Sequence, residues 1–408
     1  MDMNRLESMS NAASDMHEDR AEIQFEFQTE NKISTYTKRT LEHYLALARV
    51  NVTDSVLTTR IKKMEKEQNL VIARKGTGEK APYALSRENL FEIAEDFGVK
   101  PHRAFEKRAF VSIFQNLKGG VGKSLATAIA ASGGLMHPKL ILKQLRILIV
   151  DLDPQATTTE FACPKLKKGS TLSSIDCMIE DYTREELLEE AVVKTDQLNL
   201  DIIACNTDDA FNIAQLREPG IIDQHNPNDL IRKRIVEPLQ YDYDFIFLDC
   251  GPHMDEVMKN AIGASDGIFV PVPPTYYSFQ SSMTFISGMT SVINDMVKND
   301  GYDLKQLSFI KGFVTRDSTH MAGKKHRNTI VTTVKDDLKY VFGKEHVLKC
   351  SLKDEEAYER SVEYGCTIFT MDKNKYLGSE TTFKRALSEA SDWVEEIFEE
   401  LIDYQKGV

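Results

Sequence analysis

The sequence predicts an α/β protein: a mostly parallel, doubly wound sheet preceded by a helical unit of winged helix-turn-helix type. Three observations carry this. From residue 110 onward, short β-branched and aromatic runs alternate with helical stretches, the pattern of a parallel sheet covered on both faces. A glycine-rich turn, NLKGGVGKS at 116–124, separates the first such run from an alanine-rich helix. Before it, residues 21–85 read as helix, turn, helix and hairpin.

The elements follow in order. Residues 1–20 are polar and acidic, without a signal-peptide pattern, and read as a loose or partly helical tail. Residues 21–50 are mostly helical, with Leu41, Leu45 and Ala48 on one face. Thr53 or Asp54 N-caps the next helix, on which Val56, Leu57, Ile61 and Met64 keep helical spacing. Two short apolar runs then flank Lys75-Gly76-Thr77-Gly78, a hairpin signal. A further helix and a linker end near Ala109. Strand-like runs cover 110–115, 145–150, 198–204, 245–248, 267–270, 309–314 and 347–350. We divide the chain into 1–28 (tail and start of a dimerisation helix), 29–104 (DNA-binding domain) and 105–408 (catalytic domain).

Composition narrows the function. The 408 residues suit two or three domains, and 41% hydrophobic residues suffice for a core. A net charge of −12 excludes a bulk polyanion binder, so any DNA contact must come from a local basic patch. Six cysteines show neither C-x-x-C nor zinc-finger spacing and read as small buried hydrophobes in a reducing cytosol. No apolar run approaches the roughly 20 residues of a membrane span. Near the C-terminus, Trp393, Val394, Ile397, Phe398 and Leu401 oppose Asp392, Glu395, Glu396, Glu399 and Glu400. An acidic face is repelled by anionic lipid, so this is read as a core-packing helix and no membrane partner is expected.

The glycine turn has the context of a phosphate loop: strand FVSIFQN before it, helix SLATAIAASGGLM after it. Glycines let backbone N–H groups converge on phosphate oxygens, and the helix dipole favours the anion. Lys123 should touch the β- and γ-phosphates of ATP and Ser124 should hold Mg²⁺. One feature departs from the ordinary G-x-x-x-x-G-K-[ST] pattern: Leu117 stands where glycine is wanted, and an extra cation, Lys118, follows it. By chance K-G-G-x-G-K-[ST] arises in on the order of one chain in ten thousand. Two later stretches agree. LRILIVDLDPQ places Asp151 and Asp153 at the end of an apolar strand, where ligands of open α/β sheets sit. YDYDFIFLDCGP leads an apolar run into Asp249.

K-G-G-V-G-K-S resembles the deviant Walker A motif of the ParA/MinD ATPases. The resemblance covers about residues 110–375, and D-x-D-P-Q with the long N-terminal extension fits the large ParA-type partition branch best. It implies nucleotide contacts from Gly119, Gly120, Val121, Gly122, Lys123, Ser124 and Leu125. Lys118 is then the signature lysine, which in that family reaches across a dimer interface and stabilises developing charge as an arginine finger does. Asp153 positions or deprotonates the attacking water, Asp151 supports the Mg²⁺ shell, and Asp249 matches Walker B, binding Mg²⁺ through water. FVPVPPTYYS resembles the segment closing over adenine, with Pro273 as its contact. Where family members often have D-C-P-P, this chain has Asp249-Cys250-Gly251-Pro252. The resemblance further implies a homodimer, slow ATP hydrolysis, a ParB-type centromere-binding partner, non-specific double-stranded DNA as track, autorepression of the operon, and a cytoplasmic, nucleoid-associated protein.

Basic residues cluster twice. Arg60, Lys62, Lys63, Arg74 and Lys75 lie on the second helix and wing of the N-terminal unit, as a groove-contacting helix would place them. Lys324, Lys325 and Arg327, with Arg360 further on, are candidates for non-specific DNA contact. Two other functions fit parts of the sequence: a transcriptional repressor switched by ATP and ADP, and a metabolic ATPase on the same scaffold. A nitrogenase-reductase-like relative would need paired cysteines for an intersubunit cluster, which these positions do not obviously supply.

Overall fold

The N-terminal 20 residues are helical rather than loose: in the computed structural model α1 runs unbroken over Met3–Asn31. Its apolar residues Leu6, Met9, Met16 and Ile23 are exposed, while its last turns dock onto the C-terminal half. Gln24 Nε2 donates to the Val362 carbonyl at 3.0 Å, and the Phe27 ring lies 5.8 Å from Tyr364. The structure describes residues 3–78, 81–102, 107–213, 216, 229–253, 255–318 and 325–407.

Two helices follow, α2 (Lys38–Leu47) and α3 (Asp54–Glu67). Thr53 rather than Asp54 caps α3, its hydroxyl accepting from Val56 N–H. Strands β1 (Ala73–Arg74) and β2 (Tyr83–Ala84) pair antiparallel, and a Ser86–Asn89 capping box opens α4 (Arg87–Asp96). The expected order of helix, helix, hairpin and helix is therefore present. Leu41, Leu45, Leu57, Ile61 and Met64 are buried, but Ala48 and Val56, placed on the same faces from spacing, are exposed.

The sheet comprises β3 (Phe110–Phe114), β4 (Ile147–Asp151), β5 (Val192–Lys194), β6 (Leu200–Ile203), β7 (Phe245–Asp249), β8 (Gly267–Val272), β9 (Phe309–Asp317) and β10 (Leu352–Lys353). Their order is β10-β9-β8-β3-β7-β4-β6-β5, parallel throughout except for β5 against β6. Two readings change. β5, a three-residue edge strand, had no sequence signal. The expected strand at 347–350 is only a bridge from Val347 to Gly312, because the Lys349 and Cys350 N–H groups donate to the Glu396 carboxylate instead of a neighbouring strand.

The flanking helices are α5 (Lys123–Met136), α6 (Thr157–Ala162), the short α7 (Ser174–Ile179), α8 (Arg184–Glu186), α9 (Asp209–Asn212) and α10 (Glu237–Leu239), then α11 (Glu256–Ala264), α12 (Tyr276–Asn299), α13 (Lys325–Phe342), α14 (Glu356–Glu363) and α15 (Glu380–Gly407). Side chains alternate between two cores, as strand geometry requires. Phe245 and Phe247 point to the face covered by α5 and α15, Ile246 and Leu248 to the face covered by α11 and α12. The α15 stripe Trp393, Val394, Ile397, Phe398 and Leu401 is buried, as its spacing predicts. It lies so close to α5 that a Cβ on Gly133 would meet Val394 at 2.6 Å. The first core continues without a break into the N-terminal helices, so the two units share one apolar cluster. Among the described residues, no helix is long and apolar enough to cross a membrane.

Candidate functional site

The glycine loop sits between the carboxyl end of β3 and the N-terminus of α5. Gly120 and Gly122 have φ of 70° and 91°, a region that a Cβ disfavours. Gly122 is the N-cap of α5 and brings no capping side chain, which leaves the first N–H groups of α5 available to an anion. Asn116 anchors the loop from below: its Nδ2 donates to the Pro271 carbonyl (2.8 Å) and Ser282 Oγ (2.7 Å), and its Oδ1 accepts from Lys118 N–H. Gly119–Leu125 line a cleft of about 400 Å³ whose far wall holds Thr315, Arg316, Asp354 and Tyr358.

Two buried carboxylates meet beneath this cleft. Asp151 and Asp249 are register partners at the ends of β4 and β7. Asp151 Oδ1 accepts from Asp153 N–H (3.1 Å), and its Oδ2 accepts from Thr159 N–H (2.9 Å) and hydroxyl (2.8 Å). Both oxygens thus tie β4 to the start of α6. Asp249 Oδ2 accepts from the Thr158 hydroxyl, whereas Oδ1 is buried with no partner. Burial raises both carboxyls above their ordinary range, and Asp249 raises Asp151 further. Hydrogen bonds from Thr158 and Ser124 oppose the shift at Asp249. A carboxylate oxygen without a donor, beside a serine hydroxyl at a phosphate loop, is the donor set that suits Mg²⁺.

Lys123 is 7% exposed; burial pushes its ammonium down, and Asp249 and Asp153 partly restore it. Asp153 is half-buried, accepts from Gln155 N–H at 3.0 Å and lines the cleft. The unexpected Gly251 has a steric reason: a Cβ there would stand 3.3 Å from the Asp153 carboxyl carbon. Lys118 Nζ donates to Ser278 Oγ and faces a second groove, of about 980 Å³, between the start of α12 and α13. Pro273 lines this second groove and does not line the cleft of Gly119–Leu125.

The structure therefore gathers Lys118, Gly119–Leu125, Asp151, Asp153 and Asp249 at the carboxyl edge of the sheet. It also adds residues the motifs did not name: Thr158 and Thr159, which hold the carboxylates, Ser278, which holds Lys118, and Arg316, at φ 51° on the cleft rim. The run of three threonines after D-x-D-P-Q was the only sequence signal for these.

The basic residues divide. Arg60 forms a two-pronged pair with Asp96, and Arg74 pairs with Glu65 at 3.0 Å while stacking 3.8 Å over Tyr83. These two brace the N-terminal unit. Lys62 and Lys75 are exposed, and Lys63 is exposed with a loose 3.6 Å contact to Glu67. Arg360 pairs with Glu356 on α14. Lys324 lies outside the described residues, as do the side chains of Lys325 and Arg327 at the start of α13.

Residues 110–301 match a family described as an AAA domain. The chain is 31% identical over 371 residues to plasmid partition protein A of Escherichia coli, covering 90% of this chain and 88% of that one. It is 28% identical over 184 residues to the chromosome partitioning protein ParA of Myxococcus xanthus, covering 45% and 57%. Against the sporulation initiation inhibitor protein Soj of Bacillus subtilis, identity is 30% over 166 residues, covering 40% and 58%. Among solved structures, a partition protein superposes over the full length of both chains with a TM-score of 0.71 at 23% identity. The ATP complex of Cyanothece McdA gives 0.51 at 16% identity over 69% of this chain and 96% of that one.

Proposed function

Since the chain belongs to the ParA family of partition proteins, we propose that it hydrolyses ATP to segregate plasmid or chromosome DNA. The observation that carries this reading is one loop cleft that holds Lys123, Ser124 and Asp153, with the unpartnered Oδ1 of Asp249 beside it and a second lysine at its edge.

The residues divide the work. The loop N–H groups and Lys123 bind the phosphates; Asp153, half-buried and free on one side, orients the attacking water and takes up its proton. Ser124 and Asp249 would hold Mg²⁺, which when bound neutralises charge on the phosphate oxygens. Lys118 supplies positive charge from a second copy of the chain, which ties hydrolysis to a homodimer. The exposed apolar side of α1 gives such a dimer an additional contact. The ATP form binds double-stranded DNA non-specifically through exposed lysines, and a ParB-type partner stimulates hydrolysis and releases it.

The test is phosphate release from Mg²⁺·ATP, with and without random-sequence duplex, alongside duplex anisotropy with ATP, ADP or no nucleotide at fixed salt. Slow release and ATP-dependent DNA binding support the reading. Absence of both would overturn it. A second reading, specific repression of the operon, is favoured by α2, α3 and the hairpin with Lys62 and Lys75 exposed. Footprinting on the upstream DNA with ADP tests it.

A further inference from the structure

Away from the phosphate loop, a cavity of about 260 Å³ lies where the N-terminal helices meet the catalytic sheet. Its walls include Tyr36, Arg87, Met136, Thr158, Gln197 and Cys366. We propose that this cavity binds a small organic carboxylate: the carboxylate pairs with Arg87 and Gln197, and a compact apolar body fills the rest.

Arg87 makes the first part of the case. Its Nη1 and Nη2 donate to the carbonyls of Leu198 (2.9 Å) and Leu135 (3.4 Å), while Nε is buried with no partner. Among the described residues no carboxylate is paired with it. Glu88, next in the chain, points to solvent. An arginine cannot escape the cost of burial by losing its proton, so it stays a cation in a poorly solvated place. Buried arginines are ordinarily matched by a carboxylate, and this one is not.

Gln197 adds an independent signal. Its Oε1 accepts from Ser132 Oγ at 3.3 Å, but Nε2 is buried without an acceptor. Two orphaned donors thus line one cavity, and an anion with two oxygens answers both. The other nearby cation, Lys32, is already paired with Asp196 at 2.5 Å, so the need for negative charge centres on Arg87. The remaining walls, among them Ile149 and Ala162, are apolar and suit hydrocarbon rather than a hydrated inorganic ion.

The position gives such a ligand leverage. Tyr36 and Arg87 belong to the N-terminal unit, while Thr158 belongs to α6 and donates to Asp249. An occupant therefore touches the N-terminal helices and the helix that holds the buried carboxylates at once.

The experiment is calorimetric titration of the full chain with phenylacetate, hexanoate, 2-phenylethanol and sulfate. We expect saturable one-to-one binding of at least one of the two carboxylates. That binding should weaken at least tenfold in Arg87→Gln and disappear in Ala162→Phe, which fills the cavity. ADP binding, measured in both variants, identifies those that remain folded. Three results would overturn the proposal: saturation by neither carboxylate, equal binding of the neutral alcohol or of sulfate, or unchanged carboxylate binding in a folded Ala162→Phe protein.

Discussion

Lys118 Nζ donates to Ser278 Oγ of its own chain at 2.8 Å. The lysine that the proposed mechanism sends across a dimer is therefore held at home, against the first turn of α12, when no second copy is present. Lys118→Ala should keep ATP binding within a few-fold and lose hydrolysis by about 100-fold or more, the scale of removing one transition-state donor. A mixture tests the trans geometry directly. Lys118→Ala combined with Asp153→Ala builds one mixed site carrying both groups, so phosphate release should recover above either variant alone. No recovery would put the lysine to work within its own chain.

Gly251 and Asp153 are coupled by space rather than by a hydrogen bond. Gly251→Ala brings a methyl to within 3.3 Å of the Asp153 carboxyl and must turn it. Because Asp153 orients water and does not grip phosphate, ATP affinity should hold while turnover falls about tenfold, the cost of a modest misplacement. A fluorescent-nucleotide titration beside a phosphate-release assay separates the two quantities.

The two kinds of basic residue in the N-terminal unit should behave differently. Arg60→Ala removes the partner of Asp96, a carboxyl that Arg60 holds below its usual range, and should lower Tm. Lys62→Ala with Lys63→Ala should leave Tm unchanged and weaken duplex binding uniformly across sequences, with a smaller salt slope. A fall in Tm for the lysine pair, or DNA binding that ignores it, would move the contact elsewhere.

Motif and periodicity reached the parts of this molecule that local chemistry determines. The glycine loop, the aspartates at the ends of β4 and β7 and the buried stripe of α15 each announce themselves within about twenty residues. What stayed hidden depends on contacts far apart in sequence. Ser278 meets Lys118 across 160 residues, and Glu396 diverts the N–H groups of 349 and 350 from strand pairing. Arg60 reads as a DNA-facing cation until Asp96 is folded against it. The helix over residues 3–20 lacks the periodic apolar face that would have marked it, because its apolar residues are few and exposed.

Glu389 gives a pH test away from the catalytic carboxylates. It is half-buried on α15 beside Glu355, which accepts both prongs of Arg385 at 2.8 Å and lines the loop cleft. Burial first, then the neighbouring Glu355, raise the Glu389 carboxyl from 4.5 to about 7. Lys353 and Arg385 oppose the shift. A folded value above the unfolded one means that the neutral form is favoured in the native state. Its contribution is complete below 4.5 and is lost as pH rises through about 7. Glu389→Gln keeps the group neutral at every pH. Its Tm should equal the parent's at acid pH and exceed it above neutrality by about 1–2 °C, a small difference because the group is partly solvated. Scanning calorimetry of both proteins across this range decides the matter: parallel curves would mean that Glu389 does not titrate there, and a lower variant curve at high pH would mean that its ionised form is the one the fold needs.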